Sequence, residues 1–398
     1  MLLNGLRVLA VEQYGAGPFG TQALVDLGAE IIKIENLRDG GDVTRSLGPY
    51  FDTELGDSTE SLFFQALNRG KKSIAIDLST PDGQKVFHAL VHKADAVTCN
   101  LRGDVPGRLG LTYAALGQIK PDIVCCHLTA YGRDGSRAAW PAYDYIVQAE
   151  TGYFSLNGEP DTAPSRFGLS IVDYMAGYCL ALSIVSGVLN ARTSSRGRDI
   201  DVSLYDVALA NLNYLAVWAL NANYAPQRLA RSAHPTVVPC QLFQTADGWI
   251  YIMANKEKFF PLLCAELGAP ELAEDPRFRR FPDRHVNRQE LSDLLDTLFG
   301  KRPTTEWIKR LAGKVPAAPV ASVGEALATS FTAERTMVSE VTSDSGKSLR
   351  VLRSPIDAGD PPVRHAAPAL GRDTADLLTE AGLSTAEIDD LKTRGIVR

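Results

Sequence analysis

The sequence lacks the residue clusters that mark metal centres and disulfide frameworks. Its cysteines are few for 398 residues, and none stands in a C-x-x-C pair or at the Cys/His spacing of a zinc site. Most lie inside apolar runs, at Cys99, Cys125, Cys126, Cys179, Cys240 and Cys264. We therefore expect no metal site and buried free thiols, the usual state in a reducing cytosol.

Long apolar runs and an excess of positive charge are also missing. No uninterrupted apolar run reaches the roughly 20 residues that a membrane helix needs. The opening M-L-L-N-G-L-R-V-L-A-V-E leads directly into a strand pattern, so we expect no signal peptide. The net charge of -6 and the pI near 5.6 argue against nucleic acid as the main partner. These absences predict a cytoplasmic protein that binds neither membrane nor nucleic acid.

What the chain does contain is an alternation of strand and helix patterns over its first 130 residues. The predicted strands are 5–12, 30–35, 72–78, 95–100 and 122–128. This rhythm predicts an α/β fold with a mostly parallel, doubly wound sheet. Ligands bind beyond the carboxyl ends of the strands in such sheets. The candidate ligand-binding segments are 13–17, 36–38, 68–72, 100–108 and 129–131.

A glycine pattern follows the first predicted strand. Gly15, Gly17 and Gly20 form G-x-G-x-x-G, and Glu35 ends the second strand, as in the dinucleotide-binding fingerprint. A tight strand-to-helix turn explains the same glycines at least as well. Pro18 suits the first turn of a helix under either interpretation.

The composition changes near residue 225, after a predicted apolar helix at 205–224. The next 15 residues are polar and irregular, and a hairpin pattern with Asp247-Gly248 at its turn follows. We predict a large domain at 1–224, a smaller α+β domain at 225–320 and a C-terminal segment, 321–398, that returns to the large domain.

Asp173 stands where the apolar run 167–172 gives way to a second one that is long enough for about four helical turns. A carboxylate there lies near a helix N-terminus, where the helix dipole favours its charge. Two interpretations are open. Asp173 is either an N-cap or a nucleophilic carboxylate at the edge of a pocket, and the local sequence does not separate them.

A series of motifs, in order along nearly the whole chain, resembles the family III CoA-transferases. This superfamily includes formyl-CoA transferase, carnitine CoA-transferase and α-methylacyl-CoA racemase. The motifs are G-L-R-V-L-A-V-E-Q-Y-G-A-G-P-F, D-L-G-A-E-I-I-K-I-E, L-N-R-G-K-K-S-I-A-I-D-L, the N-x-R-x-x-x-x-x-R-L-G-L pattern of 100–111, Y-D-Y-I-V-Q-A, V-D-Y-M-A-G, R-G-R-D-I-D-V-S-L-Y-D, A-H-P-T-V-V-P, T-A-D-G-W-I-Y-I and L-G-R-D-T-A-D-L-L.

The resemblance implies a Rossmann-like large domain built from both ends of the chain, a smaller middle domain and two subunits interlocked like links. A homodimer is therefore expected. It also implies that the glycine turn lines a site for coenzyme A and that no nicotinamide is used. No cofactor would be bound permanently, because the CoA thioester is a substrate.

Through the resemblance, Asp173 falls on the family's catalytic aspartate. Its carboxylate would attack the carbonyl of an acyl-CoA, forming a mixed anhydride and releasing CoA thiolate. The thiolate would then attack the aspartyl carbonyl, which gives an enzyme-bound CoA thioester and the free donor acid. The acceptor acid repeats both steps in reverse.

The other predicted site residues carry less weight. CoA contacts are expected from Gln13, Ala16, Arg38, Lys71, Lys72, Asn100 and Arg108, and substrate contacts from Tyr143, Asp144 and His234. For the lysines and the arginine at 108, ordinary solvent-exposed side chains are the alternative. For the histidine, the alternative is a hydrogen-bonded structural role.

Departures from the family pattern bear on the substrate. Gly15 stands where formyl-CoA transferase has a glutamine. The glycine-rich loop of formyl-CoA transferase has no counterpart between residues 225 and 241 of this chain. Formyl and oxalyl groups are therefore not expected. Succinyl-CoA is a candidate donor, and its distal carboxylate could pair with Arg45, Arg166 or Arg231.

Two rival functions remain. An α-methylacyl-CoA racemase needs an acid/base pair around the α-carbon, and Tyr143 stands where racemase members have a histidine. A tyrosine of ordinary pKa is a poor proton shuttle at neutral pH, which disfavours this reading. The second rival is a non-catalytic subunit of a hetero-oligomeric transferase, which an intact Asp173 argues against.

Overall fold

The computed structural model describes residues 1–51, 61–343 and 346–398. The chain forms two compact units. The first unit consists of Met1–Thr151, Phe167–Asn213 and Ser330–Arg398, and the second of Gly152–Arg166 and Tyr214–Thr329. The unit borders thus lie at 213/214 and 329/330, about ten residues from the predicted ones. Segment 152–166, which the sequence placed in the large domain, belongs to the second unit.

The strands alternate with helices along the chain. The strands are β1 Arg7–Val11, β2 Glu30–Asn36, β3 Lys72–Ile76, β4 Ala96–Cys99, β5 Val124–Thr129, β6 Arg198–Ser203, β7 Cys240–Gln244, β8 Trp249–Met253, β9 Ala317–Pro319, β10 Val338–Thr342 and β11 Ser348–Leu352. The helices are α1 Ala16–Asp26, α2 Leu62–Asn68, α3 Pro81–Val91, α4 Val105–Arg108, α5 Tyr113–Leu116, α6 Asp144–Glu150, α7 Tyr153–Leu156, α8 Ile171–Ser194, α9 Leu204–Asn211, α10 Asn213–Ala222, α11 Phe259–Leu267, α12 Glu271–Glu274, α13 Phe281–Val286, α14 Arg288–Phe299, α15 Thr304–Leu311, α16 Val323–Leu327, α17 Ser330–Glu334, α18 Thr374–Glu380 and α19 Thr385–Thr393. Short 3₁₀ turns occupy Leu37–Asp39, Val43–Ser46 and Ala230–Ser232.

The sheet of the first unit is parallel, with the strand order β3-β2-β1-β4-β5-β6 over the described residues. This confirms the predicted α/β class with a parallel, doubly wound sheet, and the order reverses between β1 and β4, as in Rossmann-like folds. The strand β6 was missed. It lies at the edge of the sheet, and its sequence R-D-I-D-V-S carries three charged residues that hide its strand character.

Each face of the sheet is covered by helices from distant parts of the chain. Leu9 and Val11 of β1 belong to one apolar cluster with Phe87 of α3, Leu377 of α18 and Ile388 of α19. The last described residues therefore help to build the core of the first unit. β5 and β6 are covered by α8, where a Cβ at Gly187 would lie 2.8 Å from Val124 and 2.7 Å from Ile200.

Helices α1 and α8 cross in close contact at a pair of glycines. A Cβ added to Gly20 would lie 2.4 Å from the carbonyl oxygen of Gly177, and one added to Gly177 would lie 2.8 Å from the carbonyl oxygen of Ala16. Only residues without a side chain allow the backbones to approach so closely. One turn before the crossing, the first turns of both helices meet, at Gly15 and Asp173.

The substitution Gly20→Ala should destabilise the protein by about 1–3 kcal/mol, because the methyl group overpacks the crossing against backbone that cannot move aside. The matched control is Gly324→Ala in α16, where a Cβ meets nothing within 4 Å and where alanine should stabilise the helix by up to about 1 kcal/mol. Urea unfolding measures both. Equal stability of Gly20→Ala and the wild type would contradict the close crossing.

The second unit has its own small sheet and its own core. The antiparallel strands β7, β8 and β9 lie side by side, and the β7–β8 pair confirms the hairpin predicted around Asp247-Gly248. The core contains Phe243, Phe260 and Trp307. The described fold is thus a large parallel sheet with helices on both faces, a smaller three-stranded antiparallel sheet in the second unit and the antiparallel pair β10–β11 in the first.

One prediction about a helix is revised. The helix predicted at 205–224 is two helices, since α9 ends at Asn211 and α10 begins at Asn213, whose φ is +47°. Among the described residues, α8 has the length and composition of a membrane span. Half of its most apolar window is buried inside the protein.

Candidate active site

A cavity of about 210 Å³ lies beyond the carboxyl ends of β1, β4 and β5. Its walls come from the loop after β1, the loop after β4, the segment before α6 and the first turn of α8. Four of the predicted site residues, Gln13, Ala16, Asn100 and Tyr143, line it together with Asp173. Trp140 and Arg102 also line the cavity, and the sequence analysis did not single them out.

Asp173 is the third residue of α8 and is not its N-cap. The N-cap is Ser170, whose side chain makes no capping hydrogen bond. The backbone N–H of Asp173 instead donates to Oδ2 of Asp144, at 3.0 Å. A carboxylate on α6 thus caps α8 from outside, and the N-cap interpretation of Asp173 is wrong.

The carboxyl group of Asp173 lies in a place that disfavours its charge. Its side chain is 5% exposed. Burial, together with the neighbouring Asp144, raises the pKa of Asp173 from 3.8 to about 7. Near neutral pH the carboxylate is therefore only partly formed, poorly hydrated and more basic than an ordinary aspartate. Such a group is suited to attack an electrophile.

The raised pKa of Asp173 means that ionising this residue lowers the free energy of unfolding. Because the folded-state pKa exceeds the unfolded one, stability is lost as pH rises from about 4 through about 7. We expect Asp173→Asn to be more stable than the wild type at pH 8, by up to about 4 kcal/mol, and equally stable near pH 4. Urea unfolding at both pH values is the measurement, with the exposed Asp122→Asn as the control. A loss of stability in Asp173→Asn at pH 8 would mean that the helix N-terminus favours the charge more than burial disfavours it.

The loop that faces Asp173 is fixed from both sides. The side chain of Asn100 accepts from the N–H of Gln13 at 2.9 Å and donates to its carbonyl oxygen at 2.6 Å. Oδ1 of Asp42 accepts from the N–H of Tyr14, whose φ is +68°. Gly15 follows, and a Cβ there would lie 2.4 Å from Oδ2 of Asp173. A side chain at this position would meet the carboxyl group of Asp173, so glycine lets the loop approach it closely.

Below this loop lies a buried network of charges, and Lys71 belongs to it. The Nζ atom of Lys71 is fully buried and donates to Glu12 Oε1 at 2.9 Å, with Pro18, Thr21 and Asn68 as further acceptors. Burial lowers its pKa to about 8. The predicted contact of Lys71 with a nucleotide phosphate is therefore wrong, because its ammonium group supports the loop from inside.

Lys72 lies at the wrong edge of the sheet for a CoA contact. It begins β3, at the amino end of the strands, and pairs with Glu30. The cavities that adjoin the loop after β1 lie at the opposite, carboxyl edge. The alternative of an ordinary solvent-exposed lysine describes Lys72 better.

A second cavity, of about 340 Å³, lies beyond the carboxyl ends of β1, β2 and β3. Gln13 and Leu101 line both cavities, so the two adjoin. Arg38 lines the larger one and pairs with Asp77 at 2.6 Å, while its side chain stays 65% exposed. Arg108 is equally exposed and pairs with Asp104 at 3.3 Å, but it lines neither cavity.

Tyr143 and Asp144 sit next to each other at the start of α6 with opposite exposures. The ring of Tyr143 is exposed and packs against the ring of Tyr14, with centroids 5.6 Å apart. Asp144 is 2% exposed and faces α8. His234 belongs to the second unit, where its Nδ1 accepts from the N–H groups of Thr236 and Val237. These contacts match the structural alternative for His234.

Of the arginines suggested for a distal carboxylate, Arg45 does not lie open to solvent. It is buried and forms a bidentate pair with Glu35. Glu35 is thereby engaged too, so it does not fit the ribose contact of a dinucleotide fingerprint. Arg166 and Arg231 belong to the second unit, and Arg231 pairs with Asp296.

One buried cysteine lies next to a histidine in the first unit. Sγ of Cys99 lies 3.3 Å from Nδ1 of His127, whose Nε2 lies 2.8 Å from Asp199. The order of contacts resembles a catalytic triad, but burial raises the pKa of the Cys99 thiol to about 12, so it carries no thiolate. Within the described residues no cluster of three or more His, Cys, Asp or Glu side chains could hold a metal ion.

Comparison with known proteins agrees with this geometry. The family model described as "CoA-transferase family III" matches residues 3–374. The chain belongs to CoA-transferase family III. The resemblance noted in the sequence is thereby confirmed.

Two curated relatives and one solved structure give the level of similarity. The succinate–glutarate CoA-transferase of Agrobacterium fabrum is 33% identical over 392 residues, 95% of each chain. The acetyl-CoA:oxalate CoA-transferase of Acetobacter aceti is 38% identical over 339 residues, 84% of this chain and 85% of that one. A CAIB/BAIF family protein from Brucella suis matches with a TM-score of 0.82 and 31% identity, covering 95% of this chain and 98% of that one.

The family III transferase is therefore an acyl-CoA:carboxylate CoA-transferase, and its substrates are a CoA thioester and a carboxylic acid. The absence of histidine from the segment before α8 agrees with this function rather than with racemisation.

Proposed function

We propose that Asp173 is the nucleophile of a double-displacement CoA transfer. Its carboxylate attacks the thioester carbonyl, and the C–S bond breaks. CoA departs as the thiolate, and a mixed anhydride between Asp173 and the acyl group is formed. The thiolate then attacks the aspartyl carbonyl, and the donor acid leaves as carboxylate. The resulting aspartyl-CoA thioester reacts with the acceptor acid by the same two steps in reverse. No atoms beyond the two substrates and Asp173 are needed.

The observation that carries this proposal is the position of the Asp173 carboxyl group. It is the nearly buried acid of the cavity, its pKa is raised to about 7, and the backbone of Gly15 approaches it without a side chain between them. A poorly hydrated carboxylate is a stronger nucleophile, and a site with little water protects an anhydride and a thioester from hydrolysis.

The two adjoining cavities suggest how CoA is held. The larger one would take the nucleotide end of CoA, with Arg38 as its exposed cation, and the smaller one the thioester end. Gln13, Ala16 and Asn100 line the path towards Asp173. Arg108, which is exposed, remains a proposed contact for the outer phosphates.

For the substrates we propose a dicarboxylyl donor such as succinyl-CoA. The name of the Agrobacterium relative supports this choice. Arg102 lies in the wall of the cavity that contains Asp173, where it is paired with Asp104, so a donor carboxylate would have to share it with that residue. The relative named for oxalate gives no support to the expectation that oxalyl groups are excluded, so oxalate belongs among the acceptors to be tested.

Incubation with succinyl-CoA alone should load CoA onto Asp173 and release succinate before any acceptor is added. Hydroxylamine should then convert Asp173 into a hydroxamate and inactivate the enzyme, and borohydride should reduce it to an alcohol. Mass spectrometry of the peptide containing Asp173 detects both products. Asp173→Ala should lose all measurable transfer, whereas Asp122→Asn should not. An unmarked peptide under turnover conditions would overturn the covalent mechanism.

We also propose that the enzyme is a cytoplasmic homodimer. The support is the family resemblance and the apolar side chains that α8 leaves exposed, which include Leu182 and Leu189. Light scattering during gel filtration should give twice the chain mass of 43.1 kDa, that is, about 86 kDa. A monomer at micromolar concentration would contradict the dimer.

A further inference from the structure

Gln148 uses its whole side-chain amide to bind three partners on two segments near Asp173. It lies one turn after Asp144 on α6 and is fully buried. Its Nε2 donates to Asp144 Oδ1 at 2.5 Å and to the carbonyl oxygen of Leu169 at 3.2 Å. Its Oε1 accepts from the N–H of Phe167 at 3.0 Å. The amide thus ties α6 to the segment that leads into α8.

These partners require both ends of an amide. Asp144 and the carbonyl oxygen of Leu169 are acceptors, so they need two N–H donors, and the N–H of Phe167 needs an acceptor. A methionine at this position would fill the space but offer neither. A carboxylate would accept from Phe167 but would place its negative charge against Asp144.

The bond from Gln148 fixes the orientation of the Asp144 carboxylate. With Oδ1 held by Gln148, Oδ2 lies against the backbone N–H of Asp173. The same carboxylate is the charge that, after burial, contributes to the raised pKa of Asp173. The position and the basicity of Asp173 both depend on a group that Gln148 orients.

We propose that Gln148 is a positioning residue of the transfer reaction: by orienting Asp144 and the segment before α8, it holds the first turn of α8 in the geometry from which Asp173 attacks. This inference rests on the proposed role of Asp173 as the nucleophile. Gln148 itself lines neither cavity and is not expected to contact substrate.

The test compares Gln148→Met with Gln148→Glu in the full-length enzyme. The rate constant for CoA loading from saturating succinyl-CoA is measured between pH 6 and 9. Gln148→Met should load about 10- to 100-fold more slowly than the wild type at every pH, with KM for succinyl-CoA changed less than about threefold, because a misplaced nucleophile affects the chemical step. The matched control is Gln65→Met, another buried glutamine whose Oε1 accepts from a backbone N–H, that of Ala367.

Gln148→Glu provides a second readout, the pH dependence of the loading rate, which a purely structural role of Gln148 would not change. Two carboxyl groups in contact share one proton, and the shared proton restores a donor to Asp144. We expect Gln148→Glu to load within about tenfold of the wild type near pH 6 and to fall to the level of Gln148→Met as the pH rises and the proton leaves. Dividing the rate of the variant by the wild-type rate at the same pH removes the effect that the titration of Asp173 has on both.

Each outcome decides the inference. A Gln148→Met rate within twofold of the wild type, or a Gln148→Glu ratio that does not change with pH, overturns it. If Gln148→Met does not fold in thermal unfolding, the pH dependence of Gln148→Glu decides alone. Labelling of the wild-type Asp173 by hydroxylamine is read in parallel. A labelled Asp173 with an unaffected Gln148→Met refutes only the positioning role, whereas an unlabelled wild type refutes the proposed function.

Discussion

The active-site geometry depends on the close crossing of α1 and α8. Gly20 and Gly177 let the two backbones touch, and this contact fixes where the first turns of both helices meet. The loop after β1 and the residue Asp173 come from positions about 160 apart in the chain, so no local interaction could hold them at contact distance. A wider crossing would separate the loop from the carboxyl group and open the site to water.

Charge is arranged around this crossing in two different ways. Beneath the loop, Glu12, Lys33, Asp42 and Lys71 neutralise each other in a buried network that gives the loop a rigid support. At Asp173 there is no such partner among its described contacts, and the like charge of Asp144 adds to the effect of burial on its pKa. Buried charges are stable when paired and reactive when unpaired. Lys33 and Lys71 thus pair with the acids beneath the loop, and no lysine among the described contacts pairs with the carboxyl group of Asp173.

The sequence predicted the parallel sheet because β1 to β5 are short apolar runs separated by helix patterns, and the motif around Asp173 pointed to the site. It did not predict β6, whose charged residues mask an edge strand. Nor could it predict the fate of Lys71 and Lys72. These neighbours look alike in the sequence, but one points into the protein towards Glu12 and the other pairs with Glu30 at the opposite edge of the sheet. The amide of Gln148 gave no local signal, because its three partners come together only in the folded chain.

The β3 edge of the central sheet is covered by residues between 373 and 397. Asp373 exchanges hydrogen bonds with Ser73, the carbonyl of Ile396 accepts from Asp77, and Val397 bridges to Ile76. The covering residues Asp373, Ile396 and Val397 all follow position 370, so during synthesis β3 is made about 300 residues before them. Until residues 373–397 have been made, β3 presents open backbone groups of the kind that pair with other chains. The order of synthesis therefore leaves this edge open to aggregation in the nascent protein.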